Sequence, residues 1–90
     1  MINPVETMID RGLAKGLTVS VDGGGDEFDL ENSTDLKQIM EDVTAVDDAH
    51  IHFFSHAEEV GWVYVVNWND PEEQISDYSA NPLMDELCNV

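Results

Sequence analysis

The residues of this chain that could do chemistry are three histidines, one cysteine, a glycine run and a large number of carboxylates. His50 and His52 stand two apart in a β-type run, so their rings share one face of a strand, and His56 follows at a turn. Asp47 or Asp48 could add an oxygen ligand, a mixture that zinc accepts. No cysteine pair and no helical His-Glu-x-x-His supports the set, and a lone His-x-His is weak. No metal site is therefore assigned. The run Gly23-Gly24-Gly25 leads into Asp26, Glu27 and a strand pattern. A phosphate cradle needs glycines that open a helix, usually with a lysine, so this run reads as a hairpin turn. Asp22, Asp26 and Asp29 could hold calcium loosely, though their spacing is not that of an EF-hand loop. Cys88 lies at the frayed end of a terminal helix, and no serine occupies a strand-turn-helix elbow. The expectation is a protein without catalytic residues, metal or cofactor.

What remains is the acid. The chain of 90 residues carries 20 Asp and Glu against 3 Lys and Arg, a formal net charge of −17. A small domain needs a magnitude of only about 2–8 for solubility, and any excess weakens the folded state by self-repulsion. Glu27, Asp29 and Glu31 alternate along one strand pattern and would line one face at intervals of about 6.7 Å. Asp22 and Asp26 extend that row around the turn, and Glu58 and Glu59 add a further pair. Arg11, Lys15 and Lys37 cannot form a basic patch, which excludes phosphate-directed binding to nucleic acid or to anionic membranes. Partners should instead be basic. Two bland explanations compete: plain solvation and adaptation to a salty cytoplasm. The second is weakened by the single arginine against two lysines.

The elements that must position these acids follow from periodicity. Asn3-Pro4 is a helix start, and Val5, Met8, Ile9 and Leu13 keep one apolar face as far as Gly16. Leu17–Asp22 and Glu27–Asn32 alternate as the strands of a hairpin, with Phe28 and Leu30 inward on the second. Asn32-Ser33-Thr34 offers N-caps for a second helix with Leu36, Ile39, Met40 and Val43 inward. The central stretch Ala49–Trp68 holds both tryptophans. It reads as a hairpin of His50–Ser55 and Trp62–Trp68 around a turn over Ser55–Gly61. In that phase Ile51 and Phe53 face the core, while His50, His52 and Phe54 face the other way. Asn69-Asp70-Pro71 marks a turn, Gln74–Tyr78 a short fifth strand, and Asn81-Pro82 a last helix with Leu83, Met84 and Leu87 inward. The expected fold is a single α+β domain over residues 1–90, in the order α-β-β-α-β-β-(β)-α. Its antiparallel sheet of four to five strands carries helices mainly on one face.

The segments Gly61-Trp62-Val63 and Ile75-Ser76-Asp77-Tyr78-Ser79-Ala80-Asn81, with the helix that follows, resemble the ends of small acidic proteins encoded by bacteriophages and prophages. The N-terminal order of helix, Leu17–Gly24 strand and Ser33-Thr34-Asp35 helix start is also similar. The resemblance covers most of the chain loosely. It implies a phage accessory protein and brings no catalytic residues with it; Asp77, Tyr78 and Asn81 read as a turn-and-cap device.

Together these readings predict a non-enzymatic, cytoplasmic inhibitor that occupies the basic nucleic-acid groove of a host protein in place of DNA. Restriction or CRISPR effectors are the natural targets. The predicted contacts are Glu27, Asp29 and Glu31, supported by Asp22, Asp26, Glu58 and Glu59. The alternative is a non-catalytic interaction module that binds through an apolar sheet surface around Trp62 and Tyr64, the acidity serving only solvation. The compartment follows from the lone cysteine, the lack of a signal-peptide pattern and the absence of any apolar run of membrane-spanning length.

Overall fold

The computed structural model describes residues 4–22, 30–68, 70, 73–79 and 81–88. Eight elements follow in order: α1 (Pro4–Ala14), β1 (Thr18–Asp22), β2 (Leu30–Ser33), α2 (Leu36–Thr44), β3 (Asp48–Ser55), β4 (Glu58–Val66), β5 (Ile75–Tyr78) and α3 (Pro82–Cys88). The strands form one antiparallel sheet in the order β2-β1-β3-β4-β5. The fold is the α+β arrangement that the periodicities predict, and the optional fifth strand is present.

Apolar alternation places one sheet face in the core. Val19, Val21, Ala49, Ile51, Phe53, Val63 and Val65 are buried there against Val5, Met8 and Ile9 of α1, Ile39 and Val43 of α2, and Met84 and Leu87 of α3. Two glycines permit the close approach of these layers. A Cβ on Gly12 would stand 2.5 Å from the Phe53 ring, and one on Gly61 would stand 2.2 Å from Met84 Sδ. Gly12 is thus a packing requirement of the α1–β3 contact and not merely a weak helix residue. Gly16 ends α1 at φ +85°, the left-handed stop its position predicts.

Several local expectations change. The second helix is capped by Asp35, whose carboxylate accepts from the N–H groups of Lys37 and Gln38. Ser33, one of the predicted caps, is the last residue of β2 and is buried, its Oγ accepting from Asp35 N–H at 3.2 Å. The central turn is far tighter than Ser55–Gly61. Ser55 pairs with Glu58, so only His56 and Ala57 turn the chain, at φ 52° and 68°. These left-handed values suit the twist of a two-residue hairpin. The longer turn was expected because Glu58 and Glu59 look loop-like in sequence; cross-strand pairing and a bulge at Phe53/Phe54 absorb them into β4. At the other end β4 stops at Val66, and Trp68 lies in a turn, 75% exposed. Asn67 anchors this turn, its Nδ2 donating to Val43 O at 2.6 Å and Val46 O at 2.7 Å.

The predicted helix cap Asn3, the glycine turn Gly23–Gly25, inward Phe28, and Asn69 and Pro71 of the turn after Trp68 lie outside the described residues. Leu30 pairs with Val21 and is half-buried, in the inward phase expected of it.

Candidate functional site

No described helix packs on the second face of the sheet. Its residues follow from strand parity: Thr18, Ser20 and Asp22 of β1; Asp48, His50, His52 and Phe54 of β3; Glu59, Trp62, Tyr64 and Val66 of β4; Asp77 of β5. The phase inferred for His50, His52 and Phe54 is the one observed, since Ile51 and Phe53 between them are fully buried.

Register builds a continuous cross-strand row. Asp22 lies opposite His50, His50 opposite Tyr64, and Tyr64 opposite Asp77. The two inner rings stack, with centroids 4.7 Å apart and planes inclined by 26°. Tyr64 Oη donates to Asp48 Oδ2 at 2.5 Å. That hydrogen bond, aided by desolvation and the Asp48 charge, raises the phenol above its ordinary pKa. In the next row Ser20 lies opposite His52 and His52 opposite Trp62, and His52 Nδ1 meets Glu59 Oε1. Beyond these, Thr18 pairs with Phe54 and Phe54 with Glu59. Carboxylates thus flank aromatic rings across the sheet.

By its alternation with Val19 and Val21, Ser20 is expected to face away from the core. It does point to this face, yet it is 1% exposed. The chain bends at Asn32 (φ 49°), where the β1–β2 register shifts, and Asn32 N–H donates to Ser20 Oγ at 3.0 Å. Glu31 beside this bend is exposed and, with Ser20, Asn32, Phe54 and Ala57, lines a shallow depression of about 160 Å³.

Of the predicted contacts, Asp22, Glu31 and Glu59 belong to this face or its border. Glu58 is exposed at the hairpin end, opposite Ser55. Asp26, Glu27 and Asp29 lie outside the described residues, so the acidic row predicted along the second strand is described only at Glu31. Asp48 and Asp77 join the face although the sequence reading gave them other roles. The sequence offers Asp48 as a candidate oxygen ligand and Asp77 as a turn former; the alternation Asp48-His50-His52-Phe54 is the available signal for the first. Asn81 behaves as read: its Oδ1 caps α3 by accepting from Met84 N–H at 2.9 Å, and its Nδ2 donates to Val60 O at 3.2 Å. Ser79 completes that device by exchanging hydrogen bonds with the Trp62 backbone.

The charges are segregated. Arg11 and Lys37 lie on α1 and α2, and Lys15 directly after α1, so all three basic residues sit in the helical layer. Lys15 Nζ pairs with Glu86 Oε1 at 2.9 Å, and Arg11 Nη1 donates to Glu86 O. The helices carry acids too, among them Glu6, Asp10, Glu41 and Asp85.

Among the described residues no group of three or more His, Cys, Asp or Glu could hold a metal ion. The histidines are engaged separately, His50 on Tyr64, His52 with Glu59, and His56 in the hairpin turn. Cys88 is half-buried, its Sγ–H directed at Met8 Sδ 3.6 Å away, and burial, with the Asp85 charge, pushes its thiol up to about 11. A thiol so disfavoured as thiolate is a poor nucleophile at neutral pH. Asp85 likewise raises Tyr78. No described helix is long and apolar enough to cross a membrane. No protein family, curated protein or solved structure matches the chain.

Proposed function

We propose that the protein is a non-catalytic, stoichiometric inhibitor that docks on a basic, nucleic-acid-binding surface of another protein in the cytoplasm of a host cell. The observation that carries this reading is the charge segregation. Asp22, Asp48, Glu59 and Asp77 share a sheet face without a lysine or arginine, while every cation of the chain lies in the helical layer. Carboxylates fixed on a sheet keep their spacing, so they can replace phosphates without ordering a flexible chain at the moment of binding. The resemblance of Gly61–Val63 and Ile75–Asn81 to bacteriophage-encoded acidic proteins agrees with a target among host restriction or CRISPR effectors. Glu31 borders this acidic surface, and Asp26, Glu27 and Asp29 remain proposed contacts on the sequence pattern alone.

The test is competition. A labelled DNA duplex bound to a basic restriction or CRISPR effector should be displaced at a one-to-one ratio of this protein to effector, and displacement should weaken steeply as salt rises. The triple reversal Asp22→Lys, Glu31→Lys, Asp77→Lys should abolish displacement, and the reversals Glu6→Lys and Asp10→Lys on α1 should have little effect. Equal loss from both sets would remove the sheet face from the reading.

A second reading has an observation of its own. Phe54, Trp62 and Tyr64 lie half-buried on the same face, and Trp68 is 75% exposed. A partner that docks on these apolar surfaces would bind independently of salt and lose affinity when Trp62 is replaced, with charge reversals having little effect.

A further inference from the structure

The row that carries the acids also carries the rings, and this distinguishes among basic partners. A lysine ammonium is a compact, strongly hydrated point charge that gains mainly from the carboxylates and less than arginine from an aromatic face. An arginine guanidinium is flat, lies on aromatic faces and forks two N–H groups to a carboxylate at once. On this sheet the aromatic positions are one strand away from the acidic ones. Tyr64 sits directly opposite Asp77 and is hydrogen-bonded to Asp48, and the stacked pair His50–Tyr64 separates Asp22 from Asp77. With strands about 4.8 Å apart, a guanidinium resting on the Tyr64 ring is within one strand spacing of Asp77, and one resting on Trp62 is equally close to the His52–Glu59 pair. Trp68, 75% exposed, lies in the turn just past Val66, the residue opposite Asp48.

We infer that the docking segment of the partner is arginine-rich, and that Trp62 and Tyr64 select arginine over lysine by stacking its guanidinium between flanking carboxylates. The inference rests on the reading of this face as a basic-partner surface. It adds the chemical identity of the partner's side chains.

The experiment compares labelled nona-arginine and nona-lysine, equal in length and charge, by fluorescence anisotropy over a salt series. Nona-arginine should bind about ten-fold more tightly than nona-lysine. The substitutions Trp62→Leu and Tyr64→Leu together should bring the two peptides within about two-fold of each other, with nona-arginine losing much more affinity than nona-lysine. Should those variants fail to fold, the wild-type protein still decides: the Trp62 indole N–H resonance should shift with nona-arginine and far less with nona-lysine. Equal affinities would overturn the arginine selection and leave the acidic-surface reading standing, whereas resonance shifts confined to α1 and α2 would remove the sheet face from both. Failure of both peptides to bind at low salt would overturn the two together.

Discussion

Replacing Gly12 with alanine sets helix propensity against packing. In a helix interior alanine is worth about 1 kcal/mol over glycine, so the sequence alone predicts stabilisation. The structure predicts the reverse. The new Cβ would stand 2.5 Å from Phe53 Cε1 and 2.9 Å from Cδ1, closer than such atoms come in real proteins. Phe53 is fully buried, and its strand is held by β1 on one side and β4 on the other, so the rigid ring has little room to retreat. Overpacking of this kind costs about 1–3 kcal/mol, so the balance lies between about zero and 2 kcal/mol of destabilisation. A net loss of about 1 kcal/mol would lower Tm by roughly 4–8 °C for a domain of this size. Urea unfolding, read as a shift in midpoint at constant slope, measures it directly. The same substitution in a Phe53→Leu background should recover most of the propensity gain, because the two positions couple through one contact. An increase in stability of about 1 kcal/mol from Gly12→Ala in the wild-type background would refute the packing argument.

Other consequences can be measured in the same way. Asn67→Ala leaves the carbonyls of Val43 and Val46 without their side-chain donor, and should cost about 2 kcal/mol by urea unfolding. Ala57→Gly relieves a left-handed backbone at φ 68° and should stabilise by about 1 kcal/mol, seen as a higher midpoint. Cys88 has its thiol raised in the folded state, so its contribution is fully present below about pH 9 and is lost as pH rises through about 11. Tyr64 and Tyr78 are raised as well and act in the same direction, so a stability–pH curve should fall on its alkaline side. At pH 8 the folded protein should accordingly alkylate at Cys88 about a hundred-fold more slowly than the urea-unfolded chain. Because the net charge of −17 opposes compaction, Tm should rise as sodium chloride is added from a low-salt buffer.

Much of the architecture was legible because it rests on local periodicity. The 3.6-residue spacing of Val5, Met8 and Ile9, the alternation through Ile51 and Phe53, and the Asn81-Pro82 start each bury one side of an element, whatever the partner element is. Position in three dimensions was less legible. Glu58 and Glu59 look like loop residues until pairing with β3 makes them strand, and Ser33 looks like a helix cap until the β1–β2 register buries it. The candidate face was visible in part: the parity of His50, His52 and Phe54 was readable, but its neighbours were not. Asp22, His50, Tyr64 and Asp77 come from separate strands, and nothing in a linear pattern states which residues stand opposite one another.

By itself, then, the amino-acid sequence determined the class of the fold, the phase of the central strands, the excess of acid and the exclusion of a basic surface, since each depends only on composition or on spacing within one element. The tertiary structure decided the strand order, the side of the sheet that the helices cover, the need for glycine at positions 12 and 61, and the gathering of carboxylates and rings on the face opposite the cations. Those depend on register and on layer packing, where residues far apart in the chain meet at distances that no local pattern encodes.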